Sequence, residues 1–341
     1  MTRRRIVAIT GPTASGKSAL GLRLAEELGG EIINADSVQV YRELDIGSAK
    51  PGHKELARVK HHLISVLDPS EQCDAGRFAE LADTAIAALS ALPIVVGGSG
   101  LYLQALLNGL VPVVRGGSEV RERIERVFSE GGTLQLHSWL SELDELTAAG
   151  INPHDVSRVR RALEVILEQG LSLRELQQSH QRGTPRYDAL VICLLPQREK
   201  LYTAINRRVD EMVSAGLIEE VSAIVTRYGS PPTACLAIGY RQTCAYLAGE
   251  IDMATMVELI KRDTRRFAKR QLTWWRHQPE RLGWTQVDVE SQRNVKGETG
   301  GNNWPSLLRL VRGFIAANDD NLGGGVHVLP LEDFGFGLTA E

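Results

Sequence analysis

The stretch Gly11-Pro12-Thr13-Ala14-Ser15-Gly16-Lys17-Ser18 matches G-x-x-x-x-G-K-[ST], the pattern of a phosphate-binding loop. A short β-branched run, Ile6-Val7-Ala8-Ile9, precedes the match, and Leu20, Leu24 and Leu28 follow it at helical spacing. A strand that turns through glycines into a helix is the context that this loop requires, and a chance glycine-rich turn would lack it. The stretch therefore predicts a P-loop fold.

Such a loop leaves several backbone N–H groups pointing at one spot, where they and the positive end of the helix dipole bind an anion. Lys17 adds a positive charge, and the Ser18 hydroxyl is placed to bind Mg²⁺. The loop predicts a di- or triphosphate ligand and leaves its identity open, since ATP would fit equally well.

Composition argues against several classes of protein. Of 341 residues, 43% are hydrophobic and 24% are charged, as in ordinary globular proteins. No apolar run approaches the roughly 18 residues of a membrane span. Arg3-Arg4-Arg5 resembles the start of a signal peptide, but Gly11 ends the apolar run that follows, so we expect a cytoplasmic protein without a membrane partner. The four cysteines form no C-x-x-C pair and His61-His62 lacks a second ligand pair, so we expect neither disulfides nor zinc.

Strand and helix patterns alternate over the first hundred residues. Ile32-Ile33 and Ile94-Val95-Val96 are buried-strand runs, and Leu190–Leu195 is a later one. This alternation predicts the α/β class, with a parallel sheet and helices on both of its faces. Ligands of such sheets bind at the carboxyl ends of the strands. The segments that should surround one crevice there are Gly11–Ser18, Asp36–Gln39 and Gly97–Tyr102.

Between about Val114 and Arg186 the patterns are helical alone. We predict a P-loop core over 1–113 and 187–287, an all-helical insertion over 114–186, and a flexible, glycine-rich acidic tail over 288–341 around one short helix. Within the insertion, Asn152-Pro153-His154-Asp155 predicts a helix start with Asn152 as the N-cap.

The segment Ile260–His277 predicts an amphipathic basic helix. Its apolar side carries Thr264, Phe267, Leu272 and Trp275, and its basic side carries Arg262, Arg265, Lys269 and Arg276. A basic face is either solvated or contacts the phosphates of a nucleic acid. Because acidic residues that would form i,i+4 pairs are nearly absent, we favour a nucleic acid partner.

A phosphate loop combined with a basic helix leaves three classes of function open. One is an NTP-dependent enzyme acting on nucleic acid. A second is a transferase that binds a phosphorylated donor in the loop and an RNA acceptor on the helix. A small-molecule kinase is the third, and it leaves the basic helix unexplained.

Seven motifs along the chain carry a family resemblance: Gly11–Ser18, Asp36–Tyr41, Ile46–Pro51, Gly97–Tyr102, Arg161–Val165, Ala237–Gln242 and Ala268–Arg276. In this order they make the chain resemble the tRNA dimethylallyltransferases, also called tRNA isopentenyltransferases. The resemblance extends from about residue 5 to residue 284. Ser48 and Ser99 stand where the family usually has threonine, and Ser157 stands where it usually has glutamine.

The resemblance implies transfer of a dimethylallyl group from dimethylallyl diphosphate to N6 of the adenine 3′ to the anticodon, with Mg²⁺ as cofactor. The loop residues Gly11–Ser18, Lys17 among them, would hold the diphosphate, and Arg208 matches a further pyrophosphate contact; otherwise it is a surface arginine. Asp36 matches the residue that accepts the amine proton, a role suited to a carboxylate. In an NTPase the same aspartate would be structural or linked to Mg²⁺.

The resemblance also implies a partner, the anticodon stem-loop of tRNA, whose target base flips out of its stack into the enzyme. We expect the protein to act as a monomer. The positions that match the family's tRNA contacts are Asp36, Ser37, Val38, Gln39, Ser99, Arg121, Ser157, Arg158, Arg161, Gly239, Tyr240, Arg241, Lys269, Arg270, Gln271 and Arg276.

Overall fold

Seven strands in the described part of the chain pair in parallel in one sheet, in the order β3-β2-β4-β1-β5-β7-β6. The structure is a computed structural model that describes residues 3–110, 116–180, 185–229, 236–286, 304–317 and 325–332. The strands are β1 (Arg5–Thr10), β2 (Gly30–Asn34), β3 (His61–His62), β4 (Leu92–Val96), β5 (Asp188–Leu195), β6 (Thr285–Gln286) and β7 (Val326–Glu332).

Strand β1 lies at the centre of the sheet because nearly all of its side chains are apolar. Val7 and Ile9 are at most 1% exposed and share a core cluster with Leu20 of the following helix. Ile6 and Ala8, which point to the opposite face, are also fully buried. A strand buried on both faces is typical of a parallel sheet between two layers of helices. The predicted α/β class with a parallel P-loop-type sheet is confirmed.

The helices fall into two compact units, one formed by residues 1–109 and 185–341 and the other by residues 110–184. Those of the first unit are α1 (Lys17–Leu28), α2 (His53–Arg58), α3 (Ala75–Ala88), α4 (Gly100–Asn108), α9 (Arg198–Ser214), α10 (Leu217–Tyr228), α11 (Tyr240–Leu247), α12 (Met253–Arg281) and α13 (Trp304–Ala316). No helix in the described residues is both long enough and apolar enough to span a membrane.

The second unit contains only helices in its described residues. They are α5 (Ser118–Leu143), α6 (Glu145–Ala149), α7 (Val156–Gln169) and α8 (Leu173–His180). Leu136, Leu140 and Leu163 pack at its centre with no exposed surface. The predicted start of α7 at Asn152 is wrong: the N-cap is Asp155, whose carboxylate accepts the N–H of Arg158 at 3.1 Å.

Part of the segment predicted to be a flexible tail is ordered within the sheet, which corrects that prediction for the residues described. Strand β7 pairs with β5 over seven residues, from Ala189↔Val326 to Leu195↔Glu332. Helix α13 buries Leu307 and Val311 in the same cluster as β1 and α1. The physical reason is that β5 would otherwise present an unpaired edge, and an apolar strand satisfies its backbone groups.

Candidate active site

The phosphate-binding loop connects β1 to α1 through backbone conformations that favour glycine. Gly11 and Gly16 have φ angles of 143° and 86°. A Cβ on Gly11 would lie 2.6 Å from the carbonyl oxygen of Leu194, so no larger residue fits there. Among the described residues, nothing accepts a hydrogen bond from the backbone N–H groups of Ala14, Ser15 and Gly16. These donors at the start of a helix form the expected anion site.

Lys17 and Ser18 lie where the loop enters α1, and both line the same cavity. The Lys17 ammonium donates to the carbonyl of Pro12 at 3.2 Å. Desolvation and the nearby charge of Arg208 lower the pKa of Lys17 to about 8, although the Asp36 carboxylate acts in the opposite direction. Because desolvation and Arg208 disfavour the charged form of Lys17, a bound anion would stabilise the ammonium strongly.

Asp36 follows β2 and is fixed by the turn that it begins. Its Oδ1 accepts the backbone N–H of Val38 at 2.8 Å and that of Gln39 at 3.3 Å. Its Oδ2 accepts no hydrogen bond from the described residues, and the side chain lines the cavity. The carboxylate is therefore oriented through one oxygen while the other can accept a proton.

Arg208 projects from α9 into the same cavity. Burial lowers its pKa, and the Asp36 carboxylate opposes that shift. Its guanidinium also donates to the carbonyl of Ser48 at 3.4 Å. Because Lys17 and Arg208 each interact electrostatically with Asp36, the three predicted catalytic residues share one site.

The Gly97–Gly100 segment brings α12 against the phosphate loop. A Cβ on Gly98 would lie 2.5 Å from Nε2 of Gln271, and one on Gly100 would lie 2.4 Å from the ring of Trp274. Gln271 uses this close approach to join two loops. Its Nε2 donates to the carbonyl of Gly98 at 2.8 Å, and its Oε1 accepts the N–H of Thr13 at 2.9 Å.

These elements enclose a cavity of about 680 Å³ at the carboxyl ends of the strands. The predicted site residues that line it are Thr13, Ala14, Lys17, Ser18, Asp36, Ser37, Val38, Gln39, Ser99, Arg208, Gly239, Arg241, Arg270 and Gln271. Gly11, Pro12, Ser15 and Gly16 shape the loop without lining the cavity. No cluster of three or more His, Cys, Asp or Glu side chains suited to a metal occurs in the described residues.

Two of the positions expected to contact tRNA have buried side chains. Tyr240 has no exposed surface, and its hydroxyl donates to Glu220 at 2.7 Å. Gln271 is 7% exposed, and both ends of its amide are occupied by loop contacts. Both side chains support loops in this structure, and their expected contact with tRNA stays a prediction.

Some basic side chains of α12 form ion pairs with the described residues, and others do not. The carboxylate of Asp263 lies 3.2 Å from Arg241, 2.9 Å from Arg262 and 3.7 Å from Arg266, so this acid balances more charge than the sequence suggested. Lys269 and Arg276 are exposed and form no ion pair with the described residues. Arg270 and Arg281 are also exposed and form no ion pair with the described residues, so these four cations of the helix can contact phosphates.

Phe267 was expected on the apolar side of α12 and instead lines the cavity, with 38% of its surface exposed. The Arg270 guanidinium lies 5.7 Å from the centre of its ring. The buried face of the helix carries the predicted Leu272 and Trp275 together with Ile260. The sequence signal was helical spacing alone, which cannot distinguish a core aromatic from one at a cavity.

Four further expected tRNA contacts lie on helices of the second unit. Arg121 is exposed on α5, and Ser157 and Arg158 are exposed on α7. The carboxylate of Asp155 lies 3.4 Å from Arg158, and that of Glu164 lies 3.0 Å from Arg161.

Sequence reasoning missed the apolar surface that surrounds Arg208. Ile205, Val209 and Met212 line the cavity from the same face of α9. Ile205 and Met212 lie three and four residues from Arg208, and Val209 lies four residues from Ile205; this helical spacing was the available signal.

Comparison with known proteins identifies the family. Residues 39–278 match the family described as IPP transferase, and residues 4–68 match the one described as isopentenyl transferase. A tRNA dimethylallyltransferase of Anaeromyxobacter dehalogenans is 45% identical over 275 residues, which are 80% of this chain and 92% of that protein. The tRNA dimethylallyltransferase 1 of Citrifermentans bemidjiense is 46% identical over 275 residues, covering 80% of this chain and 89% of the relative.

Two solved structures have the same fold. The full-length tRNA isopentenylpyrophosphate transferase of Bacillus halodurans is 34% identical, with a TM-score of 0.62, and the match covers 92% of this chain and 97% of the other. A eukaryotic dimethylallyltransferase acting on tRNA is 26% identical, with a TM-score of 0.71, and the match covers 93% and 87%. The chain is a prenyltransferase and belongs to the tRNA dimethylallyltransferase family.

Proposed function

We propose that this enzyme transfers a dimethylallyl group from dimethylallyl diphosphate to N6 of the adenine on the 3′ side of the anticodon in tRNA, giving N6-isopentenyladenosine. The observation that carries the proposal is the cavity in which the phosphate loop, Lys17, Arg208 and the open oxygen of Asp36 meet. The names of the relatives support both the transferred group and the acceptor.

The donor's diphosphate would lie at the start of α1. The free N–H groups of Ala14–Gly16 would donate to its oxygens, and the ammonium of Lys17 and the guanidinium of Arg208 would balance its charge. Negative charge on the leaving pyrophosphate grows as the carbon–oxygen bond breaks. Donors that are already in place stabilise that charge without reorganisation.

Mg²⁺ is the proposed cofactor, and the chemistry of the site fits it. The Ser18 hydroxyl lines the cavity and has no partner among the described residues. Mg²⁺ commonly takes one or two protein oxygens together with substrate phosphates and water, so an acidic cluster is not required. Bound there by Ser18 and the donor phosphates, the ion would neutralise charge on the pyrophosphate.

Asp36 would act as the general base. The adenine N6 lone pair is delocalised into the ring, so the amine is a poor nucleophile until its proton is removed. In the proposed step the N6–C1 bond forms, the C1–O bond to diphosphate breaks, and a proton passes from N6 to Oδ2 of Asp36. The two N–H groups that bind Oδ1 would hold the carboxylate in place during the transfer.

The tRNA would approach along α12, where the side chains of Lys269 and Arg276 form no ion pair with the described residues and Arg270 lines the cavity. We propose that the anticodon stem-loop binds there, that its adenine flips into the cavity, and that the enzyme acts as a monomer in the cytoplasm. An NTP-dependent nucleic-acid enzyme or a small-molecule kinase would use the same loop, but the relatives of 45% and 46% identity are tRNA dimethylallyltransferases.

The direct experiment is mass spectrometry of tRNA nucleosides after incubation with the purified protein, dimethylallyl diphosphate and Mg²⁺ in the absence of ATP. The expected product is N6-isopentenyladenosine. Hydrolysis of ATP stimulated by tRNA, with no prenylated adenine, would refute the proposal.

The variant Asp36→Asn tests the chemical step. It retains an oxygen that can accept the two turn N–H groups but loses the basic carboxylate. Turnover on saturating tRNA should fall by about 10²–10⁴-fold, the usual contribution of a general base. Lys17→Ala, by contrast, should also weaken binding of the donor. Near-normal turnover by Asp36→Asn would show that Asp36 is not the base.

A further inference from the structure

The turn Asp45–Ser48 is held by a carboxylate from a different helix. Glu220, on α10, accepts three consecutive backbone N–H groups of this turn. Its Oε2 accepts those of Asp45 at 3.1 Å and Ile46 at 2.6 Å, and its Oε1 accepts that of Gly47 at 3.1 Å. Consecutive N–H groups that converge in this way form an anion-binding nest. Here the anion belongs to the protein itself.

Tyr240 supplies a fourth hydrogen-bond donor to the Glu220 carboxylate. Its hydroxyl donates to Oε1 of Glu220 at 2.7 Å, and the side chain is fully buried. A Cβ on Gly47 would lie 2.6 Å from the Tyr240 ring, so the ring packs directly against the turn backbone. Two sequence motifs, around Gly47 and around Tyr240, are thereby joined through a residue that belongs to neither.

The other end of this turn faces the active site. The carbonyl of Ser48 accepts the Arg208 guanidinium at 3.4 Å and the Gln39 side-chain amide at 3.1 Å. The Ser48 hydroxyl donates to the carbonyl of Leu44 at 2.6 Å, which fixes the peptide further. The Ser48 carbonyl, which orients Arg208, therefore belongs to the residue that directly follows Gly47, whose N–H binds Glu220.

We propose that Glu220 is a positioning residue for the donor site: its carboxylate sets the Asp45–Ser48 turn, and the turn in turn aims Arg208 at the diphosphate. This inference rests on the proposed role of Arg208 as a pyrophosphate contact. A carboxylate suits the place because it has only acceptors for four converging donors. An amide would direct an N–H at one of them and leave that donor without its acceptor.

The test compares Glu220→Gln with Glu219→Gln, a matched variant at the exposed neighbouring position. The readout is the inhibition constant of inorganic pyrophosphate against the donor. Glu220→Gln should weaken pyrophosphate binding about tenfold, the scale of one lost charged hydrogen bond, and should leave the KM for tRNA unchanged. Glu219→Gln should match the unmodified enzyme. Tyr240→Phe, which removes only one of the four donors, should give a smaller effect in the same direction.

A double-mutant cycle with Arg208→Ala separates positioning from general stability. If Glu220 acts through Arg208, Glu220→Gln should change pyrophosphate binding less than about twofold when Arg208 is already absent. A full additional tenfold loss in that background would overturn the proposal while leaving the role of Arg208 intact. Unchanged pyrophosphate binding in Arg208→Ala alone would instead overturn that role, and the proposal for Glu220 with it.

Discussion

Binding of the donor should depend on the charge of Lys17, and the pKa of Lys17 predicts the pH range in which this charge is lost. The ammonium lies in the cavity beside Arg208, and its pKa is lowered from 10.5 to about 8. With that pKa, the charged fraction falls from about nine-tenths at pH 7 to about one-tenth at pH 9. The value of kcat/KM for the donor should therefore fall about tenfold between these pH values, since this ratio reports the enzyme before the donor binds.

The same titration should be much weaker in kcat. Once the diphosphate is bound, its negative charge favours the ammonium form and raises the pKa of Lys17. At saturating donor, the decrease in kcat should therefore occur at a higher pH than the decrease in kcat/KM. Steady-state kinetics over pH 6.5–10 at saturating tRNA would measure both profiles.

Three variants give the controls. Lys17→Arg stays charged over the whole range, so its kcat/KM should not show this fall. Arg208→Gln removes a charge that lowers the pKa of Lys17, and should move the fall to higher pH; Asp36→Asn should move it to lower pH. A kcat/KM that stays constant to pH 9.5 in the unmodified enzyme, or an identical fall in Lys17→Arg, would refute this account.

Three more outcomes follow from the packing and the charges. Gln271→Leu should raise the KM for the donor and leave the KM for tRNA unchanged, since the side chain joins the phosphate loop to Gly98. A raised KM for tRNA with an unchanged KM for the donor would instead indicate a direct contact with tRNA. Lys269→Ala and Arg276→Ala should each lower the slope of log binding constant against log salt for tRNA by roughly one unit or less, and unchanged slopes would indicate a solvated surface. Leu329→Ala should lower the free energy of unfolding by about 2–5 kcal/mol in urea denaturation, whereas an unaffected midpoint would contradict burial of β7.

The sequence predicted the sheet and the phosphate loop because both depend on local patterns. Runs such as Ile6–Ile9 are apolar at every position, which only a strand buried on both faces requires. The glycines of the loop are fixed by backbone angles and by the close approach of Leu194. The sequence also indicated that Asp36 lies near the loop, because carboxyl ends of parallel strands meet at one edge.

Burial of individual side chains on α12 and α11 could not be predicted in the same way. Phe267 and Leu272 lie at positions that a helical pattern treats alike, yet one lines the cavity and the other is 9% exposed in the core. Tyr240 belongs to the motif Ala237–Gln242, which resembles a tRNA contact of the family. In the structure its ring packs against Gly47, which is far away in sequence. These outcomes depend on which elements meet in the fold, and the spacing of residues within one element does not contain that information.

Strand β7 illustrates a different limit. Glycine-rich and acidic segments surround Val326–Glu332, so composition alone favours an unstructured tail. The strand forms because β5 presents a long apolar edge: its buried run from Ala189 to Leu194 needs both backbone partners and a cover for its side chains. An edge of this kind is created by tertiary structure, so a segment of weak local preference is ordered by the partner it meets. Local composition predicts disorder reliably only where no such unpaired edge lies within reach.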